Sequence, residues 1–197
     1  MAPPEAEQQA GRQAGRPVGY DGQPLPAGRR TPEAVRVRRA RTPDVRAIRE
    51  IVAPMTLDGR IVAKDAVTYY EGVHEFRVAE LGGQVIGCGA LHVMWEDLAE
   101  IRTLAVRPER LGTGVGSALL AGLLDDARDI GVSRLFCLTF ETAFFGRHGF
   151  VPIEGQAVEP QVYAEMLRSY DEGVAEFLDL ERVKPNTLGN TRMLLTL

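Results

Sequence analysis

A chain of 197 residues is long enough to bury one sizeable core, and 45% hydrophobic with 25% charged residues is the balance of a soluble globular protein. The formal net charge of -4 gives no reason to expect nucleic acid or an acidic membrane as a partner. No apolar run approaches the length that spans a bilayer, and the first residues lack the charged-then-apolar order of a signal peptide, so the sequence predicts a cytoplasmic protein.

Residues 1–33 are rich in Pro, Gly, Gln, Ala and Arg and carry hardly any large apolar residue. Such a stretch cannot bury enough surface to offset its ordering entropy, and a disordered tail is expected there, with one domain over 34–197. The domain opens with Val35 and Val37 alternating with arginines, a short strand. The basic cluster Arg36, Arg38, Arg39 and Arg41 is expected to be its solvated face. Thr42, Pro43 and Asp44 then form a helix start, with Thr42 as N-cap and Pro43 at the first helical position. That helix carries Val45, Ile48, Ile51 and Val52 inward and is expected to end near Pro54.

After the loop TLDGRIVAK the pattern predicts a second helix over 65–73. A hairpin follows, with Phe76, Val78 and Ala79 on one strand, Gly82-Gly83 as the turn, and Val85 to Val93 as the partner. MWED is the next connection, and its Met94 and Trp95 are an apolar tip: a dimer contact, a substrate lid or a loop plug. A strand over 98–106 leads past Pro108 to a glycine-rich turn and a long helix closing near Gly131. A buried strand over 134–139, a short helix over 144–148 and a strand from Phe150 come next. The last 40 or so residues are expected to hold a helix over 160–170, a second polar-apolar segment and a final strand over 192–197. The order predicts an α/β fold, a mixed twisted sheet with helices on both faces.

Two cysteines, Cys88 and Cys137, lie in the apolar runs VIGCGAL and RLFCLTF, which fits inert core thiols in a reducing compartment. His74, His92 and His148 show no metal-ligand spacing with one another or with the cysteines, so no metal is expected.

The strongest chemical signal is LAVRPERLGTGVGSALL. Gly112, Gly114 and Gly116 allow a tight turn and a close approach to the backbone, and the helix behind them offers unpaired N–H groups and a positive dipole end. Together they suit a diphosphate. A Rossmann turn would close the first strand of a βαβ unit, whereas this one follows a fourth strand after a hairpin, and a P-loop would need Gly-Lys-Ser/Thr.

The run L-A-V, a proline, then R-L-G-T-G-V-G-S-A-L-L resembles the acetyl-CoA signature of the GNAT acetyltransferases, and F-F-G-R-H-G-F resembles the helix that flanks their pantetheine arm. The likeness covers 35–153 and implies the GNAT acyl-CoA N-acyltransferase fold. A narrower likeness rests on IVAPMTLDGRIVAKDAV, VIGCGALHV, AEIRTLAV and LGNTRMLLTL, which are similar to amino-acid N-acetyltransferases of the N-acetylglutamate synthase type in its short, stand-alone form. It implies acetyl transfer from acetyl-CoA to the amine of glutamate or glutamine at the head of arginine biosynthesis, with a homodimer and feedback by arginine as further expectations.

The resemblance carries the cofactor contacts onto Leu104, Ala105 and Val106 of the strand, onto Leu111, Gly112, Thr113, Gly114, Val115, Gly116 and Ser117 of the turn, and onto Phe145. Leu111 stands where the family pattern has Gln or Arg, a small departure for a turn that binds phosphate through backbone N–H groups. Phe145 stands where many relatives carry a tyrosine that protonates the leaving thiolate, and the synthase subgroup resembles this chain in having Phe there.

Attack of an amine on a thioester needs the amine deprotonated. Glu100, on the strand leading to the acetyl site, is the first candidate base, Glu141 the second and His92 the third, with a water chain as the alternative to all three. A dicarboxylate acceptor needs cations. Arg102 shares a strand face with Glu100, and Lys64, Lys184 and Arg192 are the other candidates, Lys64 and Arg192 by the synthase resemblance. Competing readings are acetylation of another amine, which an acidic groove would favour, and a regulator that binds acyl-CoA or arginine without catalysis.

Overall fold

Alternation of apolar and polar residues along seven segments builds one mixed sheet in the computed structural model, which describes residues 34–57, 61–62, 64–183 and 189–197. The strands are β1 (Arg36–Arg39), β2 (Phe76–Leu81), β3 (Gln84–Trp95), β4 (Leu98–Val106), β5 (Arg134–Thr139), β6 (Val151–Pro152) and β7 (Thr191–Thr196). They lie in the order β1-β2-β3-β4-β5-β7-β6. All neighbours are antiparallel except β4 and β5, which run parallel and pair only over Leu98–Glu100 and Arg134–Phe136. Beyond Glu100 those two strands have no register partners in common, and the sheet opens there.

The helices are α1 (Val45–Leu57), α2 (Ala66–Glu71), α3 (Val115–Asp129), α4 (Thr142–Arg147), α5 (Pro160–Met166) and α6 (Glu172–Phe177). Strand alternation decides which face each covers. Ala99, Ile101, Leu135 and Cys137 point into a core with Leu120 and Leu123 of α3 and Phe145 of α4. Val78, Cys88 and Ala90 meet Val45, Ile48 and Val52 of α1 and Tyr69 of α2 on the opposite face. On that second face Leu98 and Phe136 pack under Met166 of α5 and Val174 and Phe177 of α6. The expected fold class is therefore found, with helices on both faces. Glu100 falls between the two helix pairs of the second face, because it shares strand parity with Leu98.

Several boundaries differ from the sequence expectation. α1 continues three residues past Pro54, since proline's φ is already helical and Met55 still packs against the α1 core. The turn before α1 is a 3-10 helix over Thr42–Asp44 capped by Arg41 rather than Thr42, and the Asp44 carboxylate accepts the Arg41 N–H at 2.7 Å. The helix expected over 65–73 stops at Glu71, and a 3-10 turn, Val73–Glu75, leads into β2. β3 runs on through Trp95, so only Glu96 and Asp97 turn the chain, and Met94 and Trp95 pack as partly buried edges of the α5–α6 core. The expected helix over 160–170 stops at Met166, and α6 forms beyond it, in the polar-apolar segment expected next. Not all of the arginine cluster is a solvated face: Arg38 is paired with Asp44 and Glu80, both at 2.7 Å. Cys88 and Cys137 are buried free thiols, and burial raises the pKa of each. The expected tail, 1–33, lies outside the described residues, as does Lys184. Among the described residues no helix is long and apolar enough to cross a membrane.

Candidate active site

β4 carries the site, and a bulge shapes it. The register with β3 passes from Cys88↔Ala105 to Ala90↔Arg102, so Thr103 and Leu104 oppose the single residue Gly89. Thr103 absorbs the distortion at φ 57°, a left-handed conformation rare for a β-branched residue. A side chain at position 89 would meet the ends of the Leu104 and Leu123 side chains at 2.9 Å, so glycine lets β3 accept the bulge without moving either leucine. The bulge and the opening between β4 and β5 fall at the same level, which leaves Leu104 outside both ladders and facing a cleft of about 750 Å³.

The cleft wall is built from Lys64 and Tyr69 on one side, Glu100 and Arg102 beneath, and Gly173 and Glu176 of α6 on the other. Glu100 is 5% exposed, and its Oε2 has no hydrogen-bond partner. Burial raises its pKa, opposed by the positive charges of Arg102, Lys64 and His92. Arg102 Nη1 lies 3.8 Å from that oxygen but donates to Asp171 Oδ2 at 3.0 Å, while Nη2 donates to Glu75 Oε2 at 3.2 Å. Burial works against the Arg102 charge, yet Glu100, Asp171 and Glu75 outweigh it and raise the guanidinium pKa. Glu75 and Asp171 stay ionised despite burial because His92 and Arg102 hold Glu75 down, and chiefly Arg102 holds Asp171 down. His92 joins the same network, Nδ1 lying 2.8 Å from Glu75 Oε1 and Nε2 3.6 Å from Asp171 Oδ2. Asp171 also caps α6, its Oδ1 accepting the Val174 N–H at 3.1 Å, so one carboxylate ties that helix to β4.

Glu176 was not legible as a site residue. It is 8% exposed and lines the cleft, and burial together with the neighbouring charges of Glu100, Glu172 and Asp171 pushes its pKa up to about 7. The local signal was an acid inside the apolar run VAEFL, a place where an unpaired charge is costly. Glu75 and Asp171 gave no comparable signal, since nothing along the chain shows that both meet Arg102.

The glycine turn adopts the shape its composition requires. Gly112 and Gly114 have φ of 72° and 86°, and Gly114 caps α3 from that left-handed conformation. No acidic residue stands in the first turn of α3, so its N-terminal amides face no competing anion of its own. Ser117 Oγ lies 3.1 Å from His148 Nε2, and Leu111 is exposed. These residues fit the diphosphate of a coenzyme A thioester. Phe145 is buried between Phe144 and Phe150, both at 5.2 Å between ring centres, with one edge on the cleft.

Of the expected site residues, Glu100, Arg102, Lys64, Leu104, Glu141 and Phe145 all line the one cleft. Glu141 is exposed at its rim, and its carbonyl accepts the Phe144 and Phe145 N–H groups at the start of α4. Arg192 does not line it. Its guanidinium donates to the carbonyls of Gly155 and Phe177, pinning the end of α6, and burial lowers its pKa.

The profile of the acetyltransferase (GNAT) family matches residues 46–150. An amino-acid acetyltransferase of Mycobacterium tuberculosis is 59% identical over 165 residues, which is 82% of this chain and 94% of that protein. A solved Mycobacterium tuberculosis structure in complex with CoA superposes with a TM-score of 0.79 at 57% identity, covering 82% of this chain and 99% of that one. N-acetylglutamate synthase from Neisseria gonorrhoeae, solved with coenzyme A and N-acetyl-glutamate, superposes with a TM-score of 0.67 at 26% identity, covering 83% of this chain and 35% of that one. The bulged fourth strand, the sheet that opens beside it and the left-handed glycine turn agree with that match: the chain belongs to the GNAT family of acetyltransferases.

Proposed function

We propose that this protein transfers acetyl from acetyl-CoA to the α-amino group of L-glutamate, with L-glutamine as the nearest alternative acceptor, and so performs the first step of arginine biosynthesis. The observation that carries the reading is the 59% identity spanning 94% of an amino-acid acetyltransferase. The backbone amides from Gly112 to Ser117 hold the diphosphate, and the strand Leu104–Val106 aligns the pantetheine arm. Glu100 takes a proton from the substrate ammonium through its unpartnered Oε2. The free amine attacks the thioester carbonyl, whose developing charge is met by the N–H of Leu104 or Val106. The nitrogen of the adduct gives its surplus proton to water, the carbon–sulfur bond breaks to leave the amide, and the thiolate takes its proton from water, because Phe145 has none to give.

Among the described residues Lys64 and Arg102 are the Lys and Arg side chains of the cleft lining, and they receive the carboxylates of the substrate. Arg102 is already shared between Asp171 and Glu75, so a substrate carboxylate must displace one of them. Arg192 acts from behind, holding α6, and Lys184 is the remaining candidate for the second carboxylate.

One observation favours a different acceptor. Among the described residues, eight acidic side chains line the cleft (Asp65, Glu71, Glu75, Glu100, Glu141, Asp171, Glu172 and Glu176) against Lys64 and Arg102, a balance that suits a cationic amine. Release of free thiol from acetyl-CoA, followed with glutamate, glutamine, other amino acids and a polyamine, separates the two. Preference for glutamate or glutamine, with inhibition on adding arginine, supports the pathway assignment. Turnover with the polyamine and none with either amino acid overturns it.

A further inference from the structure

Of the described acidic side chains that line the cleft, two are buried, and acetyl transfer as proposed uses only one of them. Glu100 comes from β4 and Glu176 from α6, and they are 5% and 8% exposed. The cation nearest Glu100 does not neutralise the pair. Arg102 stands 3.8 Å from Glu100 Oε2 and spends its N–H groups on Asp171 and Glu75. α6 seats itself against Glu100 through Gly173, where even a methyl group would overlap Glu100 Oε2. That contact brings the helix carrying Glu176 onto the base and leaves the Glu100 oxygen with no protein donor. Two buried carboxyls in one site, short of a full complement of cations, do not both ionise.

We propose that Glu176 is the second carboxyl of a proton-carrying pair with Glu100, receiving the proton that Glu100 removes from the substrate ammonium and delivering it to solvent at the cleft mouth. The proposal rests on Glu100 being the base. The atoms balance simply: the N–H bond of the ammonium breaks, an O–H bond forms on Glu100, and the same proton moves to Glu176 and then to water. No oxidant or further reactant is involved. Glu176 therefore returns Glu100 to its basic form within each turnover. Burial sets its affinity for the proton first, and the charges that act on it are Glu100 on β4, Glu172 on α6, Asp171 at the cap of α6, and Lys64 from the loop before α2, the last opposing the other three.

The test is the pH profile of kcat and kcat/KM for wild type, Glu176→Gln, Glu176→Asp and Glu100→Gln, with thermal melting of each. Glu176→Gln is expected to lower kcat by about 10- to 100-fold, within the range typical of one acid–base group. The KM for acetyl-CoA should stay unchanged, the acidic limb of the profile should move, and Glu176→Asp should restore part of the rate. Its melting temperature should equal or exceed that of wild type near neutral pH, because the glutamine carries no buried charge, so a low rate cannot be put down to misfolding. A wild-type rate and an unmoved limb in Glu176→Gln, with Glu100→Gln inactive, would overturn the relay and leave Glu100 as the base. Wild-type activity in Glu100→Gln would overturn the base assignment and the relay with it.

Discussion

At Gly114 the backbone sits at φ 86° with open space around the missing Cβ, so its constraint is conformational and not one of crowding. A β-branched residue there costs about 1–3 kcal/mol of strain or forces the turn to another shape. Gly114→Val is expected to raise the KM for acetyl-CoA by about tenfold or more while leaving the preference among amino acids intact, as steady-state kinetics with either substrate varied would show. Glu100 poses the opposite problem, a buried charge whose cost is tolerated in place of being relieved. Its position on the strand marked it as a candidate base, but its orphaned oxygen and its raised pKa come from burial against Gly173 and from Asp171, opposed by residues 64 and 102, and no local pattern connects these. Arg102 shows the same limit. As a strand residue it is a free cation, and in the fold it is the hub of three carboxylates.

α6 is a six-residue helix whose stability cannot come from its own hydrogen bonds. Phe177 packs edge-on against Phe136 at 5.2 Å, Asp171 caps the helix while bound to Arg102, and Arg192 donates to its last carbonyl. Gly173 is the point of closest approach to β4, and alanine there would ordinarily gain helix propensity worth about 0.5–1 kcal/mol. The new Cβ, however, meets the far end of a side chain, which can swing aside at modest cost. Gly173→Ala is therefore expected to change stability by no more than about 1 kcal/mol while lowering kcat by about tenfold or more, because the displaced group is the Glu100 carboxyl. Denaturant unfolding set beside initial rates gives both numbers, and a wild-type kcat would show that the position of Glu100 does not matter. Other elements read more clearly than this one: β4, β5 and α3 were legible from their apolar patterns and from the glycine turn, whereas the boundary between α5 and α6 is set by packing on Leu98 and Phe136.

Over the whole molecule two sets of carboxyls oppose each other in pH. Asp44, Asp97 and Asp126 are held low by Arg38, Arg134 and Arg77, and Glu75 and Asp171 are held low by His92 and Arg102 in spite of burial. Their stabilisation is present above the ordinary carboxylate range and is lost as pH falls through the lowered values. Glu100 and Glu176 are raised, so the folded state binds their protons more tightly than the unfolded state does. That stabilisation is complete below the ordinary carboxylate range and is lost as pH rises toward about 7 for Glu176. The melting temperature should consequently peak on the acid side of neutrality, and Glu176→Gln should flatten the decline between about pH 4.5 and 7. A melting series that rises steadily from pH 5 to 8 would contradict this. The sequence by itself determined the order of strands and helices, the glycine turn before α3 and the family, because period, glycine placement and motif spacing are local properties. Only the tertiary structure decided which carboxyls share the cleft, that Arg102 is already paired, and that α6 closes on Glu100. Those facts depend on interactions between residues far apart along the chain, such as Glu100 and Glu176, and on a dielectric that exists only once the chain has folded.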